Sequence, residues 1–337
     1  MTKTAVVTGL NGQDGSYLAE FLIDKGYNVV GTVRGKNPLW PYGFDPEMDG
    51  LKVMQVDLGY PEEIRRLFST IIEDVGSIDE FYNLAAQSHV GDSFRHPDQT
   101  YRVTGNAACL LMEYYFAAYP EGKFYQASSS EMFGNVVSSG FISYETDGFA
   151  PASPYAVAKI MAHYGCETHR LAGHFAVDGI LFNHESERRH ETFVTQKICK
   201  AAVEAYRWQI NGKQGEKPIL HLGNTLAYRD WGYAPEYVEM MWKMMQWDKA
   251  RTWTIGTGVT VPVHYFLEKA FEYLSLDGGY FTDIESESFM RPYDVWYLRA
   301  DPADANMLLG RYPKGVDWLV KRMVDHQLKV QGAELCV

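Results

Sequence analysis

The chain has 337 residues, 46% of them hydrophobic and 22% charged, which is enough for one large or two modest domains with a substantial core. Its formal net charge is −12 and no lysine or arginine run stands out, which disfavours binding to nucleic acid or membrane surfaces. The cysteines lack metal-ligand spacing and indicate reduced thiols and no metal site: Cys109, Cys166, Cys199 and Cys336. With no signal peptide or membrane-spanning apolar stretch in the sequence, we expect cytoplasmic residence.

The first half of the chain alternates apolar runs with stretches of helical periodicity. Strands are predicted around residues 5–7, 29–33, 51–56, 81–84, 124–127 and 180–182, and helices around 17–26 and 64–72. This alternation predicts an α/β fold, a Rossmann-type doubly wound parallel sheet with helices on both faces. After about Asn183 helices mix with short strands, which predicts a smaller mixed C-terminal substrate lobe over the carboxyl edge of the sheet.

The turn after the first predicted strand reads Thr8-Gly9-Leu10-Asn11-Gly12-Gln13-Asp14-Gly15. Glycines at 9, 12 and 15 allow a tight turn, close approach of a pyrophosphate and close packing of helix on strand. Because a helix begins there, its unpaired N–H groups face the phosphates. The context predicts a dinucleotide site made by Gly9, Asn11, Gly12, Gln13 and Asp14.

The ends of the following strands supply further candidates for the cofactor site. The second strand ends in Arg34, with Lys36 close by, where a dinucleotide without a 2′-phosphate usually meets an acid. Cations there favour NADP over NAD, and the alternative is a solvated surface arginine. Asp57 and Leu58 follow the third strand and could flank the adenine. The fourth strand leads into small residues along the expected cofactor path: Leu84, Ala85, Ala86 and Ser88.

A tyrosine and a lysine stand four residues apart in Ser153-Pro154-Tyr155-Ala156-Val157-Ala158-Lys159, after a proline that can open a helix. Residues i and i+4 share a helix face, so we expect the Lys159 ammonium beside the Tyr155 hydroxyl. A cation there would lower the tyrosine pKa from about 10 and make the phenol a usable base near neutral pH. The alternative is a lysine stem packed on a half-buried ring.

The fifth predicted strand delivers Ser128-Ser129-Ser130-Glu131 to the same edge of the sheet. An acid in reach of a tyrosine base is a second proton-transfer group. The alternative for Glu131 is a helix-cap or surface carboxylate.

Taken in order, these segments carry a family resemblance. They read TGLNGQDGSYLAEFLIDKGY, YNLAAQSHV, SSSEMFG, SPYAVAK, GILFNHES and RDWG. With them the chain resembles the extended short-chain dehydrogenase/reductases, and more narrowly the GDP-mannose 4,6-dehydratases, as far as LGRYPKGVDWLVKRMV near its end. The resemblance implies a hydro-lyase that converts GDP-mannose or a closely related GDP-sugar to the 4-keto-6-deoxy product plus water, with tightly held NADP regenerated in each turnover.

The resemblance also implies how the chain is divided and what each catalytic candidate does. Residues 1–183 would be the NADP-binding domain and residues 184–337 mainly the sugar-nucleotide lobe, with part of about 226–260 returning to the first domain. Tyr155 would take the proton from the sugar 4-hydroxyl, and Lys159 would hold the nicotinamide ribose. Glu131 would remove the C5 proton as water leaves C6. Ser129 would hydrogen-bond the 4-oxygen, where charge develops.

The remaining site residues are implied in the same way. The diphosphate would be held by Arg188, Lys197, Arg229 and Arg291, although a single arginine can also be a surface ion pair of little energetic value. Asn183 would lie where the sugar meets the cofactor, and Ser88 and Glu131 would also contact the substrate. Further cofactor contacts would come from Tyr101, His184 and Arg189, together with Tyr155 and Lys159.

The chain departs from the family pattern in two regions. Residues 35–42 replace the arginine-, serine- and asparagine-rich loop with which the family builds tetramers, so a homodimer and a homotetramer both stay open. The substrate lobe has unusual residues at Ala152, Glu187, His190, Trp296 and 262–265. The chemistry is therefore better supported than the sugar or the base, and a GDP-heptose or another nucleotide sugar would suit the same catalytic residues.

Two other functions share part of these motifs. An NDP-sugar 4-epimerase or 4-reductase has the glycine turn and the Tyr/Lys pair but needs no acid at C5, so Glu131 favours dehydration. A non-catalytic NADP-binding regulator commonly lacks the tyrosine or the lysine, and both are present here.

Overall fold

The computed structural model describes residues 2–136, 140–284 and 291–335. The strands are β1 (Thr4–Thr8), β2 (Asn28–Val33), β3 (Leu51–Gln55), β4 (Glu80–Asn83), β5 (Lys123–Ser129), β6 (Phe175–Leu181), β7 (Asn183–Glu185), β8 (Leu220–His221), β9 (Tyr228–Tyr233), β10 (Thr252–Ile255), β11 (Thr260–Pro262) and β12 (Thr282–Asp283). Seven of them form a parallel sheet in the order β10-β6-β5-β4-β1-β2-β3. The predicted doubly wound α/β fold is confirmed.

Helices cover both faces of this sheet. The α-helices are α1 (Gln13–Asp24), α2 (Pro61–Asp74), α3 (Val90–Arg95), α4 (Pro97–Thr100), α5 (Ala107–Ala118), α6 (Pro154–Leu171), α7 (Val194–Ile210), α8 (Ala234–Met245), α9 (Val263–Tyr273), α10 (Ala303–Leu309) and α11 (Val316–Val330). Short 3₁₀-helices span Ser130–Met132 and Gly278–Phe281, and a π-helix spans Tyr101–Asn106.

The two faces of the sheet follow from the alternation of side chains along each strand. On β1, Val6 packs in a buried cluster with residues of α2, α5 and α6. Its neighbour Val7 belongs to a second cluster with residues of α1 and α8. Strand β1 is buried along its whole length because helices cover both faces of the sheet there, whereas the edge strand β3 is partly exposed.

The second lobe has a core of its own. Residues of α7, α9 and α11 form a third buried cluster around Trp231 and Phe266. Two small sheets, β11-β9-β7 and β12-β8, lie in this part of the chain. The later strand β10 pairs with β6 at the edge of the large sheet, and α8 packs in the cluster that covers β1.

A row of buried polar side chains crosses the large sheet at matching register. Its members lie on six adjacent strands and are at most 5% exposed: Thr32, Thr8, Asn83, Gln126, Asp178 and Thr252. The Thr8 hydroxyl donates to Asn83 Oδ1 (2.7 Å), and Asn83 Nδ2 donates to Gln126 Oε1 (2.8 Å). Hydrogen bonds between side chains on neighbouring strands satisfy these buried polar atoms. They also fix the loops that follow the strands at the carboxyl edge of the sheet.

Among the described residues, no helix combines the length and apolar character needed to cross a membrane. Cys109, Cys166 and Cys199 are free thiols, and the latter two are buried. Cys336 lies outside the described residues.

Candidate active site

The glycine turn joins β1 to α1 in a conformation that depends on glycine. Gly9 has φ +74°, and a Cβ there would lie 3.1 Å from Ala85 Cα, so the turn packs directly on the loop after β4. A Cβ on Gly15 would lie 2.2 Å from the Gly9 carbonyl oxygen. Exposed Gly12 is the N-cap of α1, whose first N–H groups therefore open at the carboxyl edge of the sheet.

The first turn of α1 is locked to β7 by an ion pair. His184 Nε2 lies 2.8 Å from Asp14 Oδ2, and His184 Nδ1 lies 2.7 Å from the Phe182 carbonyl oxygen. Both partners can only accept, so both ring nitrogens carry a proton and the ring is an imidazolium. Burial works against that charge, but Asp14 outweighs it and raises the pKa of His184. Gln13 strengthens the link by donating from Nε2 to the His184 carbonyl (3.0 Å).

The predicted adenosine-side residues lie at the ends of the next strands. Arg34 is exposed directly after β2, and no hydrogen bond or ion pair engages its side chain among the described residues. Asp57 accepts a 2.9 Å bond from Gly59 N, and Leu58 is buried. The backbone N–H groups of Leu84 and Ala85 both donate to Thr8 Oγ1 at 3.1 Å, which fixes the loop that continues through Ala86 and Ser88.

Ser153 and Pro154 begin α6 and so position the tyrosine and the lysine. The Ser153 hydroxyl accepts from Ala156 N (3.1 Å), and proline occupies the first helical position. Tyr155 and Lys159 are 8% and 4% exposed and share the buried face of the helix. Lys159 Nζ donates to the Ala127 carbonyl (2.6 Å) and lies 5.8 Å from the centre of the Tyr155 ring.

One electrostatic prediction about this pair is wrong. Burial raises the pKa of Tyr155 to about 12, and the groups that lower it are the Ser129 hydrogen bond and the Arg189 charge, not Lys159. Burial also lowers the pKa of Lys159 to about 8. The physical reason is that the helix face turns both groups away from water, while Lys159 directs its ammonium to a backbone carbonyl on β5.

The segment after β5 brings Ser129 and Glu131 to the tyrosine. Ser129 caps the 3₁₀-helix Ser130–Met132, accepting from Glu131 N at 3.3 Å, and its hydroxyl lies close enough to the Tyr155 phenol to lower the pKa of that group. Glu131 is 8% exposed, and its charge acts on both Tyr155 and Arg229. A phenol, a hydroxyl and a carboxylate therefore converge at the carboxyl edge of the sheet.

Two arginines of the predicted substrate set share one carboxylate. Arg229, on β9, is 6% exposed, and its Nη2 lies 3.3 Å from Asp294 Oδ1. Exposed Arg291 reaches the same oxygen from 3.5 Å. Burial lowers the pKa of Arg229, and the nearby charges of Glu131 and Asp294 oppose that shift. Arg229 Nη1 also donates to the Val295 carbonyl (2.7 Å), which leaves Arg291 as the more open cation of the two.

Arg188, which was predicted to hold the diphosphate with Arg229 and Arg291, is engaged by residues of the first domain in the structure. Its guanidinium makes a bidentate pair with Glu20 on α1 (2.8 and 2.7 Å) and donates from Nε to the Tyr42 carbonyl (3.1 Å). It also stacks 4.1 Å over the Tyr17 ring. The Tyr42 ring packs on His326 of α11 at 4.5 Å. Arg188 thus ties the unusual segment 35–42 to both lobes, because Glu20 satisfies its charge inside the chain.

Arg189, a predicted cofactor contact, lies near the Asp14–His184 pair. Its Nε is 3.0 Å from the buried carboxylate of Glu185, and its guanidinium lies 3.5 Å over the Phe193 ring. Burial raises the pKa of Glu185, and the Arg189 charge counteracts the shift. Arg189 therefore supplies a fixed positive charge next to the tyrosine.

His89 is a candidate that the sequence analysis did not single out. It directly follows the exposed Ser88, caps α3, and packs its ring 5.8 Å from Phe193. Burial, Arg291 and Lys197 all lower its pKa, so its imidazole lies close to two substrate candidates. Its sequence signal was its position next to Ser88 in the loop between β4 and α3.

The other predicted site residues occupy the rim of the same region. Asn183 begins β7 beside Trp231, and the partly exposed Tyr101 begins the π-helix. Lys197, on α7, lines a surface groove with Lys200, Ile219, Leu220 and Phe281. π-helices recur at functional sites, which is consistent with the position of Tyr101.

Comparison with known proteins identifies the family. A family model described as GDP-mannose 4,6 dehydratase matches residues 6–323. The chain belongs to this family. GDP-mannose 4,6 dehydratase 1 of Arabidopsis thaliana is 41% identical over 346 residues, covering 98% of this chain and 91% of the relative. A GDP-mannose 4,6-dehydratase of Vibrio cholerae serotype O1 is 40% identical over 365 residues, covering 97% and 94%.

Solved structures reproduce the fold of this family member at much lower sequence identity. The dTDP-glucose 4,6-dehydratase of Bacillus anthracis, solved in complex with NAD, superposes with a TM-score of 0.78 at 15% identity and 98% coverage of both chains. A UDP-glucose 4-epimerase of Thermotoga maritima gives the same TM-score at 22% identity, covering 97% of this chain and 99% of its own. Dehydratases and epimerases therefore share this fold, and only the side chains in the site can distinguish the two activities.

Proposed function

We propose that this chain is a sugar-nucleotide 4,6-dehydratase that converts GDP-mannose or a closely related GDP-sugar to the 4-keto-6-deoxy product and water. The observation that carries the proposal is the convergence of Tyr155, Ser129 and Glu131 at the carboxyl edge of the sheet. On the protein side, oxidation at C4 needs only the tyrosine and the groups that assist its proton transfer. The added carboxylate supplies the second base that elimination across C5 and C6 requires.

The glycine turn suits a dinucleotide cofactor, and we propose NADP. A Cβ on exposed Gly12 would meet only the Gly9 carbonyl, so the turn offers an open cradle at the start of α1. Gly9, Asn11 and Gln13 would hold the pyrophosphate side and Lys159 the nicotinamide ribose. Arg34 with Lys36 would bind the 2′-phosphate, because both are exposed cations at the end of β2. When bound, the nicotinamide supplies the hydride acceptor and donor for the sugar.

The chain's own residues move the protons in this scheme. Tyr155 accepts the proton of the sugar 4-hydroxyl as C4 becomes a ketone. Ser129 donates a hydrogen bond to the same oxygen and also lowers the pKa of the phenol, which burial otherwise raises. Arg189 assists by placing a positive charge near the phenolate.

Glu131 acts once C4 is a ketone and the C5 proton is acidic. Its carboxylate takes the C5 proton, the C6–O bond breaks, and the departing hydroxide takes up a proton to leave as water. Loss of water leaves a C5=C6 double bond conjugated with the C4 ketone. Return to C6 of the hydride taken from C4, with a proton delivered to C5, would give the 4-keto-6-deoxy sugar nucleotide, and the net change is the loss of one water. Glu131 is buried near Tyr155 and Arg229, and this burial keeps bulk water away from the reactive intermediate at C5 and C6.

The substrate diphosphate needs a positive environment in a chain of net charge −12. Arg291 and Arg229 would provide it, with Asp294 holding both guanidinium groups in place. Lys197 and the newly recognised His89 lie near Arg291 and extend the same region. Asn183 and Ser88 would contact the sugar. We therefore assign the diphosphate to Arg229, Arg291 and Lys197 and leave Arg188 out.

A panel of sugar nucleotides tests the proposal directly. Purified protein incubated with GDP-mannose, a GDP-heptose, UDP-glucose and dTDP-glucose, without added reductant, should lose 18 mass units from a GDP-sugar only. Glu131→Gln should abolish both water loss and exchange of the C5 hydrogen with ²H₂O, whereas Glu131→Asp keeps a carboxylate and part of the exchange. Inversion at C4 without water loss would replace the dehydratase with the 4-epimerase alternative.

The assembly and the compartment remain predictions. A homodimer or homotetramer is expected from the family, although segment 35–42 folds back on its own chain through Arg188 and His326. Light scattering on the purified protein distinguishes the two. We keep cytoplasmic residence as the prediction for the compartment.

A further inference from the structure

A second buried pair of ionisable side chains lies one helical turn beyond Lys159. His163 and Asp178 are both 0% exposed, and His163 Nδ1 lies 2.6 Å from Asp178 Oδ2. A carboxylate only accepts, so Nδ1 carries the proton. The other carboxylate oxygen accepts a 2.5 Å hydrogen bond from Ser128 Oγ. His163 Nε2 has no hydrogen-bond partner in the part of the chain that the structure describes. The mechanism above uses neither residue.

Three relationships place the His163–Asp178 pair near Lys159. Residues 155, 159 and 163 follow at intervals of four and share the inward face of α6. Lys159 donates to the Ala127 carbonyl, and the next residue, Ser128, bonds to Asp178. In the β5–β6 register Ala127 stands opposite Gly179, the neighbour of Asp178. The ammonium and the carboxylate are therefore held by one short piece of β5.

The charges around Lys159 indicate what the His163–Asp178 pair does. Burial works against the ammonium and lowers its pKa, while Asp178, and after it Asp14, act in the opposite direction. The ionisable groups around this region include Tyr155, His163, Cys166, Glu167 and Arg170 on α6, Tyr125 on β5, Asp178 on β6 and Asp14 on α1, and Glu167 Oε2 lies 4.0 Å from His163 Nε2. Both carboxylates have a histidine partner, and Asp178 acts on the lysine more strongly than Asp14 does.

We propose that Asp178, aligned by His163 and Ser128, is a positioning residue that keeps Lys159 protonated and directed at Ala127. It touches no reacting atom and acts only through the lysine. The kinetic consequence rests on the proposed function, but the charge state of Lys159 can be measured without substrate or cofactor.

Asp178→Asn is the decisive variant, because it removes the charge and keeps groups that can hydrogen-bond Ser128 and His163. Ser128→Ala is the matched control, since it removes a bond to the same carboxylate and leaves the charge. ¹³Cε NMR of lysine-labelled, cofactor-free protein follows the ammonium, which is assigned by the signal lost in Lys159→Arg. We expect the titration midpoint of Lys159 to fall by about one pH unit in Asp178→Asn and by only a few tenths in Ser128→Ala.

A pH profile of turnover separates this role from simple packing. With the midpoint moved down by about one unit, turnover relative to the unchanged protein should fall about fivefold at pH 8 and stay nearly constant at pH 6. An equal loss at every pH, or an unmoved NMR midpoint, overturns the proposal. If Asp178→Asn does not fold, the double variant Asp178→Asn, His163→Gln carries the same measurements, because its two amides can bond each other. A moved midpoint in a protein that dehydrates no sugar nucleotide would refute the proposed function and leave this inference standing.

Discussion

Lys159 Nζ donates its hydrogen bond to the carbonyl oxygen of Ala127, 2.6 Å away on β5. This contact anchors the N-terminal half of α6, which carries Tyr155 and Lys159, to the strand that leads to Ser129 and Glu131. It also explains why the lysine does not lower the pKa of Tyr155, which burial raises to about 12. The phenol is assisted instead by the Ser129 hydroxyl and the Arg189 charge, which act from two different segments.

Tyr155→Phe should abolish turnover and leave the fold intact. In the proposed mechanism its oxygen accepts the 4-hydroxyl proton, and loss of a positioned acid–base group costs about 10²–10⁴-fold in rate. Tyr164→Phe is the matched control, because Tyr164 lies on the same helix and its side chain is 52% exposed. Product formation by mass spectrometry and the melting temperature check both variants. Turnover retained in Tyr155→Phe would remove the tyrosine from its role.

Substitutions at Arg188 and Arg291 should have different effects, the first on stability and the second on substrate binding. Arg188→Leu breaks a bidentate pair that leaves the arginine side chain 8% exposed, so we expect a loss of about 1–3 kcal/mol in the free energy of unfolding. Arg291→Leu should leave stability nearly unchanged and raise KM about tenfold, because the side chain is more open and its charge is proposed to bind the diphosphate. Urea unfolding and initial rates measure the two effects. The reverse pattern would return Arg188 to the substrate set.

Arg34→Asp should shift the cofactor preference from NADP to NAD. The change replaces an exposed cation at the end of β2 with the acid that a 2′-hydroxyl prefers. We expect the Kd for NADP to rise at least about tenfold and the Kd for NAD to fall. Calorimetric titration of cofactor-stripped protein gives both constants. Arg65→Asp, an exposed change on α2, controls for net charge. Equal Kd values for NADP before and after the Arg34 change would contradict the assignment.

The Asp14–His184 pair should make stability depend on pH in a defined window. The pKa of His184 is raised above its ordinary 6.5, so its contribution is complete below pH 6.5 and is lost as pH rises through the folded value. The pKa of Asp14 is lowered from 3.8, so its contribution is present above pH 3.8 and is lost as pH falls further. His184→Gln should therefore cost about 1.5–3 kcal/mol near pH 5.5 and less near pH 9. Urea unfolding at both pH values checks this, and a pH-independent cost would mean that the ring is neutral.

The family and the order of elements could be derived from the sequence alone because they depend on local patterns. Glycines at 9, 12 and 15 between an apolar run and an amphipathic stretch specify a strand–turn–helix unit whatever the rest of the chain does. Ser153 and Pro154 specify where α6 begins, and the interval of four places Tyr155 and Lys159 on one face. The order Ser129 then Glu131 after a strand is equally local.

Only the tertiary structure decided which partners these side chains have and how far each is removed from water. Lys159 meets Ala127, Arg188 meets Glu20, and Arg229 meets Asp294, across separations of 32, 168 and 65 residues along the chain. A pKa follows the surroundings of a group, which is why spacing on α6 predicted a lowered value for Tyr155 and burial produced a raised one. Sequence spacing places residues on a face, while packing determines what that face meets and therefore which charges the chemistry can use.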